Sequence, residues 1–489
     1  MMVTNLMTDF SDRNMEYKTR PGIFAEKIKS WFSTPDSLTD SHKTAYSLAF
    51  FRIVFGILMV VAEIRFISRD WITDFYVKPQ FFFTFFGFDW IHPLPAPYIY
   101  WVFYGLVICG VLIALGLFYR IAIWSFFLGF TYVELLDKSV YLNHYYQVSM
   151  LAFIMCFLPM NRKYSLDAGI KAHLSSEISF PGKIFNFLTF STIKSPLPEN
   201  WMLWALRLQV GSVYFFGGVA KLKYDWLFRA QPLRIWLAAN EHFPLIGSLL
   251  TQTWVAFVLS WFALFFDLTA PFLLSFRKTR FYIYLIIVIF HLLTHYLFYI
   301  GMFPWMMIFT ALIFFPSDFH QKVLRFLPEP QTSGFNTVRA STVNLKWLFT
   351  FFFLFQLIMP FRSHFYEGNV LWHEQGFRFS WNIMLMEKNA SLEYRVKVKK
   401  SGEEFYVRPS EFLTRIQARQ CSFQPDMILQ FAHYLHQYYV ENGLGDTEIR
   451  AECYASLNGR GSQLLIDPNV DLTKEHEGFM PKTWITKLN

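Results

Sequence analysis

Long hydrophobic stretches recur along the first three quarters of the chain, with polar segments between them. Nine of them reach or approach the roughly 20 residues that a helix needs to cross the hydrocarbon core of a bilayer. They cover residues 46–67, 97–118, 121–137, 144–160, 201–223, 252–276, 281–298, 300–316 and 346–362. Because several stretches are short and crowded with aromatic residues, a count of eight also fits. The pattern predicts a membrane all-α helical bundle of about nine transmembrane helices.

The pattern changes after about residue 363, where charged residues become frequent. SLEYRVKVKK (391–400) and EEFYVRP (403–409) alternate polar and apolar residues, as exposed strands do. PDMILQFAHYLHQYYVENG (425–443) has apolar residues at helical spacing and a closing glycine. We therefore expect a cytoplasmic N-terminal segment (1–45), a transmembrane helical domain (46–362) and an extracytoplasmic soluble α+β domain (363–489).

The composition agrees with a membrane protein. Of 489 residues, 54% are hydrophobic and only 16% are charged, which is too apolar for a soluble protein of this size. The net charge of +8 arises from Lys and Arg dispersed among hydrophobic stretches, without a basic face for nucleic acid. The lipid bilayer is therefore the expected partner of these charges, and nucleic acid is not.

The distribution of Lys and Arg predicts how the chain is oriented. With the N-terminus in the cytoplasm, Arg120, the basic loop 162–194, RKTR (277–280) and the basic segment 322–339 all fall inside. This arrangement follows the positive-inside rule and leaves the C-terminal domain outside. The first hydrophobic stretch begins too late, and is too long, for a cleavable signal peptide.

The four cysteines form no disulfide framework and no metal motif. Cys109 and Cys156 fall in hydrophobic stretches, so only Cys421 and Cys453 could pair, and only if their domain faces an oxidising compartment.

Seven ionisable residues interrupt the predicted spans. Each costs about 2.5 to 3.5 kcal/mol at the centre of a membrane helix, so each needs a partner or a function. We expect some of them to be structural and paired with one another inside the bundle: Arg52, Glu63, Glu134, Arg207, Asp267, His291 and His295.

The fifth hydrophobic stretch carries a polar stripe. Arg207, Tyr214 and Lys221 recur every seven residues, which places them near one face of a helix. Such a stripe points into the protein or a cavity, but Lys221 is close enough to the helix end to snorkel toward water instead. The adjacent glycines 217–218 favour close approach of another backbone or a flat ligand.

The pair of histidines in HLLTH (291–295) has the i, i+4 spacing of metal ligands. Because no third ligand stands at a companion spacing, a seam of the helix bundle explains them better, and no metal is expected. The chain has no P-loop, no G-x-S-x-G and no dinucleotide-binding fingerprint.

Five segments carry a resemblance to a known family. They are NHYYQVSMLAF (143–153), VYFFGGVAKLKYDW (213–226), IGMFPWMM (300–307), WHEQGFRFSWNIM (372–384) and SLNGRGSQLLIDPNVDL (456–472). In order and spacing the chain resembles the vitamin K-dependent γ-glutamyl carboxylase family, and most closely its bacterial members. Their membrane core is shared with the wider horizontally transferred transmembrane (HTTM) domain family.

The resemblance implies an integral membrane enzyme, in a bacterial inner membrane, that uses reduced vitamin K, O2 and CO2 and no metal. In this family a lysine takes a proton from the hydroquinone, and oxygenation of the vitamin then yields a base strong enough to deprotonate glutamate. CO2 capture gives γ-carboxyglutamate and vitamin K epoxide. Lys221 matches the base, and His144 matches a histidine of the later proton or CO2 step. Lys221 should therefore be largely neutral near pH 7.

The resemblance also suggests binding residues. Phe303, Met302 and Met384 match positions that line the family's quinone pocket, and Tyr214 joins them from the polar stripe. An isoprenoid quinone would reach this pocket from the membrane. The substrate, a glutamate-containing peptide or protein, would come from the aqueous outer face. The motif expected at its carboxylate contains four residues: Trp372, Arg378, Ser380 and Trp381.

Two departures keep other functions open. Animal carboxylases have two adjacent lysines where this chain has Ala220 and Lys221, and they continue well beyond the position of Asn489. A quinol oxygenase that forms epoxide without carboxylating protein is therefore one alternative. A transporter or channel lined by Arg207, Asp267 and the histidines is another, although the sequence has no inverted repeat.

Overall fold

The computed structural model describes residues 38–173, 198–298, 300–329 and 342–489. Residues 1–37 of the predicted N-terminal segment lie outside the described residues, as do 174–197 and 330–341 of the predicted basic loops. The described chain is mostly helical, with a small antiparallel sheet near the C-terminus.

A helix occupies the place of each predicted span. The nine are α1 Leu38–Ser68, α2 Tyr98–Leu115, α3 Tyr119–Leu135, α4 Asn143–Phe157, α5 Asn200–Ala220, α6 Thr253–Ser275, α7 Arg280–Phe298, α8 Phe303–Thr310 and α9 Val343–Ile358. Shorter helices lie between them, at Leu166–His173, Tyr224–Arg229, Leu233–Ala238, Gly247–Leu250 and Ser317–Leu324, and Val370–His373 follows the last.

Nine membrane spans are not confirmed. In the described part of the chain, five helices are long and apolar enough to cross a membrane: Ser41–Ser68, Tyr98–Leu115, Thr253–Ser275, Arg280–Phe298 and Val343–Phe365. Helices α3, α4 and α8 have only 17, 15 and 8 residues. Helix α5 has 21 residues, most of them buried against protein, so it can carry Arg207 and Gln209 without exposing them to lipid.

The C-terminal part is an α+β fold. Its sheet has the strand order β2-β1-β3-β4, with β1 Lys388–Val398, β2 Glu404–Val407, β3 Thr447–Leu457 and β4 Gln463–Leu464. Helix α10, Pro425–Glu441, packs on β3, and the short helix Arg415–Cys421 precedes it. The first two strands and α10 confirm the sequence prediction, whereas β3 was not predicted.

Small residues bring helices into close contact. A Cβ on Gly56 of α1 would lie 2.5 Å from the backbone nitrogen of Ala114 in α2. A Cβ on Gly218 of α5 would lie 2.8 Å from the backbone nitrogen of Leu268 in α6. The approach predicted at residues 217–218 is thus made by a neighbouring helix.

The expectation that the buried ionisable residues pair with one another is wrong for the arginines. Arg52 donates to the carbonyls of Ile113 (2.6 Å) and Ala114 (2.7 Å) at the end of α2. Arg207 donates to the carbonyl of Ile313 (3.0 Å). The last carbonyls of a helix have no partner within it, so they attract the guanidinium groups that a neighbouring helix carries.

Two groups of buried ion pairs join the helical part to the C-terminal part. Lys138, between α3 and α4, contacts Asp426 (2.9 Å) and Glu477 (3.2 Å), with its side chain only 1% exposed. Arg460 contacts both carboxylate oxygens of Asp225, at 2.8 and 2.7 Å. Cys421 and Cys453, which were candidates for a disulfide, are free thiols.

Candidate active site

Lys221 caps the C-terminal end of α5 and points into the protein. Its Nζ donates to Oδ2 of Asp267 on α6 (2.7 Å) and to the carbonyl of Gly217 (3.2 Å). The residue is only 5% exposed. The snorkelling alternative is therefore wrong, and the lysine is the cation of a buried ion pair.

This ion pair lies at the wall of an apolar cavity of about 310 Å³. Tyr214, one helical heptad before Lys221, lines the same cavity, and its hydroxyl is 2.9 Å from Nε2 of His291 on α7. Phe303 and Met384 also line it. Three of the four predicted quinone-pocket residues therefore share a cavity with the predicted base.

Arg207, the third residue of the polar stripe, does not line the cavity. It lies two helical turns before Tyr214, where it binds carbonyls of the segment that follows α8. Of the polar stripe, Arg207 thus binds backbone carbonyls, whereas Tyr214 and Lys221 line the cavity.

The cavity reaches the outer surface of the bundle between α6 and α7. Its lining includes Phe262, Ile289 and Leu293, whose exposed fractions are 43%, 51% and 47%. Large apolar side chains that are half exposed on a membrane bundle face lipid. A hydrophobic ligand can therefore reach the cavity from the bilayer.

His144 and Met302 lie in a second, smaller cavity of about 60 Å³. The ring of Phe303 lines the larger cavity, with its centroid 6.0 Å from the ring of His144 and 6.0 Å from that of His291. The structure thus places His144 and Lys221 in different cavities.

Two carboxyl groups that the sequence flagged within spans also line the smaller cavity. Glu134 accepts a hydrogen bond from Ser149 (2.6 Å) through Oε2, while its buried Oε1 has no hydrogen-bond partner among the described residues. Glu63 lines the same cavity. The predicted histidine therefore shares its cavity with two acidic groups and with Arg65, and not with the lysine.

The four residues predicted to hold the substrate carboxylate do not form one site. Trp372 is buried and donates its indole N–H to the carbonyl of Thr486 (2.8 Å). Trp381 is fully buried against the ring of Tyr146. Ser380 alone lines an open cavity, and its hydroxyl donates to the carbonyl of Gly376 (2.8 Å).

Arg378 is already committed to other groups. It donates to Oδ2 of Asp426 (2.6 Å) and to the side chain of Gln424. The Arg378 guanidinium and Lys138 hold the pKa of the Asp426 carboxyl well below its usual range, against the effect of burial. The charge of Arg378 is therefore neutralised by a carboxylate of the protein itself.

A third cavity, of about 520 Å³, lies where the end of α5 meets the C-terminal part. We call it the junction cleft. Its polar lining comprises Lys223, Tyr224, Asp225, Ser363, His364, Tyr366, Asn369, Ser380, Asn382 and Arg460. Sequence reasoning gave no role to Lys223, Asp225 or Arg460.

The junction cleft and the apolar cavity are lined by neighbouring residues of the same two chain segments. Lys221 lines the apolar cavity and Lys223 lines the cleft, and likewise Met384 lines the cavity and Asn382 the cleft. A Cβ on Gly217 would lie within 4.0 Å of the Lys221 ammonium, the Asp267 carboxylate and Ile383. The site thus combines an apolar chamber facing lipid, a buried acid–base pair and a polar cleft.

The described residues contain no group of three or more His, Cys, Asp or Glu that could hold a metal ion. His291 is engaged by Tyr214, and the ring of His295 packs against that of Trp305 at 5.5 Å. Both histidines thus lie at helix contacts.

Comparison with protein-family models gives two matches. The HTTM domain model matches residues 41–319, which is more than half of the chain. The model of the vitamin K-dependent gamma-carboxylase lumenal domain matches residues 342–489. No solved structure matches the chain.

Proposed function

Because the chain belongs to the vitamin K-dependent γ-carboxylase family, we propose that it is an integral membrane enzyme that couples epoxidation of reduced vitamin K to glutamate carboxylation. The reaction consumes the hydroquinone, O2, CO2 and a glutamyl side chain. It yields the epoxide, γ-carboxyglutamate and water. The observation that carries the proposal is a lysine buried beside a carboxylate in an apolar cavity that opens toward lipid.

The residues of the apolar cavity suit a vitamin K hydroquinone. A volume of about 310 Å³ is in the range of small-molecule sites, which are mostly apolar with a few placed polar groups. Phe303 and Met384 offer apolar surface to a flat ring, while Lys221 and the Tyr214–His291 pair offer polar groups to its oxygens. When bound, the reduced vitamin supplies the electrons for O2 reduction and the basicity that the glutamate γ-carbon requires.

Lys221 is the base in this proposal, and Asp267 makes its neutral form accessible. If the Lys221 ammonium transfers a proton along its 2.7 Å hydrogen bond to Oδ2 of Asp267, both groups become neutral. An apolar surrounding lowers the cost of this transfer relative to water, because it disfavours charges. The free amine can then accept a proton from a hydroquinone hydroxyl.

His144 is assigned to a later proton step. It lines the smaller cavity together with Glu63 and Glu134, and in this proposal these groups exchange protons through water. A volume of about 60 Å³ holds a few water molecules at most.

We also propose the orientation that the positive-inside rule predicts, in a bacterial inner membrane with the N-terminus in the cytoplasm and residues 363–489 outside. This orientation needs an odd number of crossings, and the apolar helix Phe303–Phe314 would cross only together with residues next to it. The quinone then arrives laterally, and the polar substrate arrives from the aqueous face.

The test supplies the purified protein with reduced vitamin K, labelled bicarbonate and a glutamyl peptide. Epoxide is measured in the lipid fraction, and label is measured in the peptide. We expect both products from the wild type and a loss of about 10² to 10⁴-fold in both with Lys221→Met, the usual contribution of a general base. Lys487→Met, at an exposed lysine, is the matched control and should retain both activities.

A quinol oxygenase without protein carboxylation is the second candidate. It is favoured by one observation, the engagement of Arg378 by Asp426, which removes the predicted carboxylate anchor. Epoxide without label in the peptide would select this candidate. If the wild type forms neither product, both proposals are wrong.

A further inference from the structure

The junction cleft contains a cation that no described carboxylate neutralises. Of its charged groups, Arg460 and Asp225 neutralise each other through two contacts of 2.8 and 2.7 Å. Lys223 donates to the carbonyl of Ala220 (2.8 Å) and to Oδ1 of Asn382 (3.2 Å), both of which are uncharged. Among the described residues, no carboxylate lies within ion-pair distance of its Nζ.

The hydrogen-bonding groups around Lys223 have capacity left for a ligand. An ammonium has three donors, and Lys223 uses two of them within the protein. The amide of Asn382 donates one N–H to the carbonyl of Phe377 (3.1 Å) and has a second N–H to offer. Two donors from different segments of the chain therefore meet at one place in the cleft.

The position of Lys223 relates the cleft to the chemistry. The lysine lies two residues after Lys221, and its partner Asn382 lies two residues before Met384. The same two short segments therefore line both cavities, with Lys221 and Met384 in the apolar cavity and Lys223 and Asn382 in the cleft. A group held at Lys223 thus lies near the segment that carries the base.

We propose that Lys223, with the amide of Asn382, binds the carboxylate of the substrate's glutamyl side chain in the junction cleft. Lys223 is thus the anchor that the sequence assigned to Arg378. A charge-assisted bond from the ammonium and a second bond from the amide suit a carboxylate, and the rest of the cleft accommodates the adjoining peptide. The inference rests on the proposed function for the identity of the acidic group as glutamate.

The test compares Lys223→Met with Lys223→Arg in peptide carboxylation. We expect Lys223→Met to raise the KM for the glutamyl peptide at least about tenfold, the usual effect of removing a charged hydrogen-bond partner. Lys223→Arg should restore most of the affinity. Lys487→Met, the exposed control, should leave the KM unchanged. An unchanged KM in Lys223→Met would overturn the inference.

A binding measurement separates this inference from the proposed function. A labelled glutamyl peptide and its glutaminyl counterpart are titrated, without vitamin K, into wild-type protein and into Lys223→Met. The inference expects wild type to prefer the glutamyl peptide, and the variant to lose that preference, even if no carboxylation is ever detected. Equal binding of the two peptides to wild type would contradict it. Lys223→Gln, with an uncharged polar side chain, serves if Lys223→Met does not fold.

The same titration distinguishes two sources of the carboxylate. If free glutarate competes with the peptide in wild type but not in Lys223→Met, the carboxylate alone suffices for recognition. If only the peptide binds, with the same dependence on Lys223, the adjoining peptide contributes to the affinity. Both results support a carboxylate at Lys223, whereas competition that is identical in the variant excludes it.

Discussion

Lys221 and Asp267 depend on each other because each would otherwise be a charge buried alone. Lys221→Met leaves the Asp267 carboxylate without its cation, and Asp267→Leu leaves the ammonium without its anion. Breaking one side of a buried pair typically costs about 3 to 5 kcal/mol, while replacing both partners by apolar groups is often nearly neutral. We therefore expect both single variants to lower the Tm in detergent and the double variant to recover most of the loss.

The double-mutant cycle has a clear contrary result. If the losses of the two single variants simply add in the double variant, the groups do not act as a pair. Tyr214→Phe serves as the matched control in the same cavity. It removes only the hydroxyl that hydrogen-bonds to His291. The loss of such a bond lowers the free energy of unfolding by about 0.5 to 1.5 kcal/mol.

The sequence located Lys221 and not its partner, for a geometric reason. Heptad spacing relates residues on one helix, so it placed Tyr214 and Lys221 on the same face, and both line the apolar cavity. Asp267 was recognised as a costly charge, but it follows Lys221 by 46 residues on another helix. Which of several buried charges meet depends on how helices pack, and one helix's periodicity does not contain that information.

The ion-pair partner of Arg378 could not be predicted for the same reason. The motif placed Arg378 correctly near the junction, but Asp426, its partner, lies at the start of α10. Lys223, in contrast, was not predicted from the sequence and became a candidate only in the structure. A lysine just past a helix end is unremarkable in sequence, and only the junction cleft and the absence of a described carboxylate beside it make it a candidate.

At the scale of helices, the contact between α1 and α2 depends on Gly56. A Cβ there would meet backbone atoms of Ala114 at 2.5 Å and of Gly110 at 2.7 Å, which helices can relieve only by moving apart. We expect Gly56→Ala to lower the Tm by several degrees and Gly56→Leu to prevent stable folding. The measurement is thermal unfolding of the purified protein in detergent.

Gly105, on α2, provides the control for this contact. A Cβ at Gly105 would meet no atom within 4 Å, and alanine favours a helix interior over glycine by about 1 kcal/mol. Gly105→Ala should therefore leave the Tm unchanged or raise it. Equal effects of the two alanine substitutions would show that helix packing does not depend on Gly56.

The sequence predicted the positions of these helices more successfully than the surroundings of each one. Hydrophobic length marked all nine places, but it cannot distinguish a helix facing lipid from one surrounded by protein. Helix α5 has the length to cross, yet its buried face carries Gln209, which bonds to Gln147 of α4 at 2.8 Å. Strand β3 was missed although its residues alternate, because both faces are partly covered and small residues such as Ala451 and Ala455 occupy the inner one.

At the scale of the whole molecule, ion pairs hold the helical part and the C-terminal part together, and their carboxyl groups have lowered pKa values. Asp426 binds Lys138 and Arg378, and its pKa lies well below the usual range. The pKa of Asp225 is lowered too, by the Arg460 and Asn458 side chains against the effect of burial. A lowered carboxyl pKa gives stability that is complete above the unfolded value, about 3.9, and is lost only below it. These pairs therefore stay intact at mildly acidic pH.

His373 lies in the connection between α9 and the sheet, and its protonation affects the stability of the fold at a higher pH than these carboxyl groups do. Burial lowers its pKa to about 4, with a further contribution from Lys388. The unfolded chain binds this proton near pH 6.5 and the folded protein does not, so stability falls as pH drops from about 6.5 toward 4. We expect the wild-type Tm to fall over this range relative to that of His373→Asn, whose side chain can still accept the bond from the backbone N–H of Gln375.

The neighbouring Glu374 makes the comparison with a variant necessary. Burial raises its pKa, against the effect of Lys388, so this carboxyl contributes in the opposite direction and stabilises the fold on acidification. Because Glu374 is present in both proteins, the difference in Tm between wild type and His373→Asn isolates the histidine. That difference should grow steadily in the variant's favour between pH 7 and pH 5. Parallel Tm curves would mean that His373 takes up its proton in the folded protein as readily as in the unfolded chain, which would contradict this prediction.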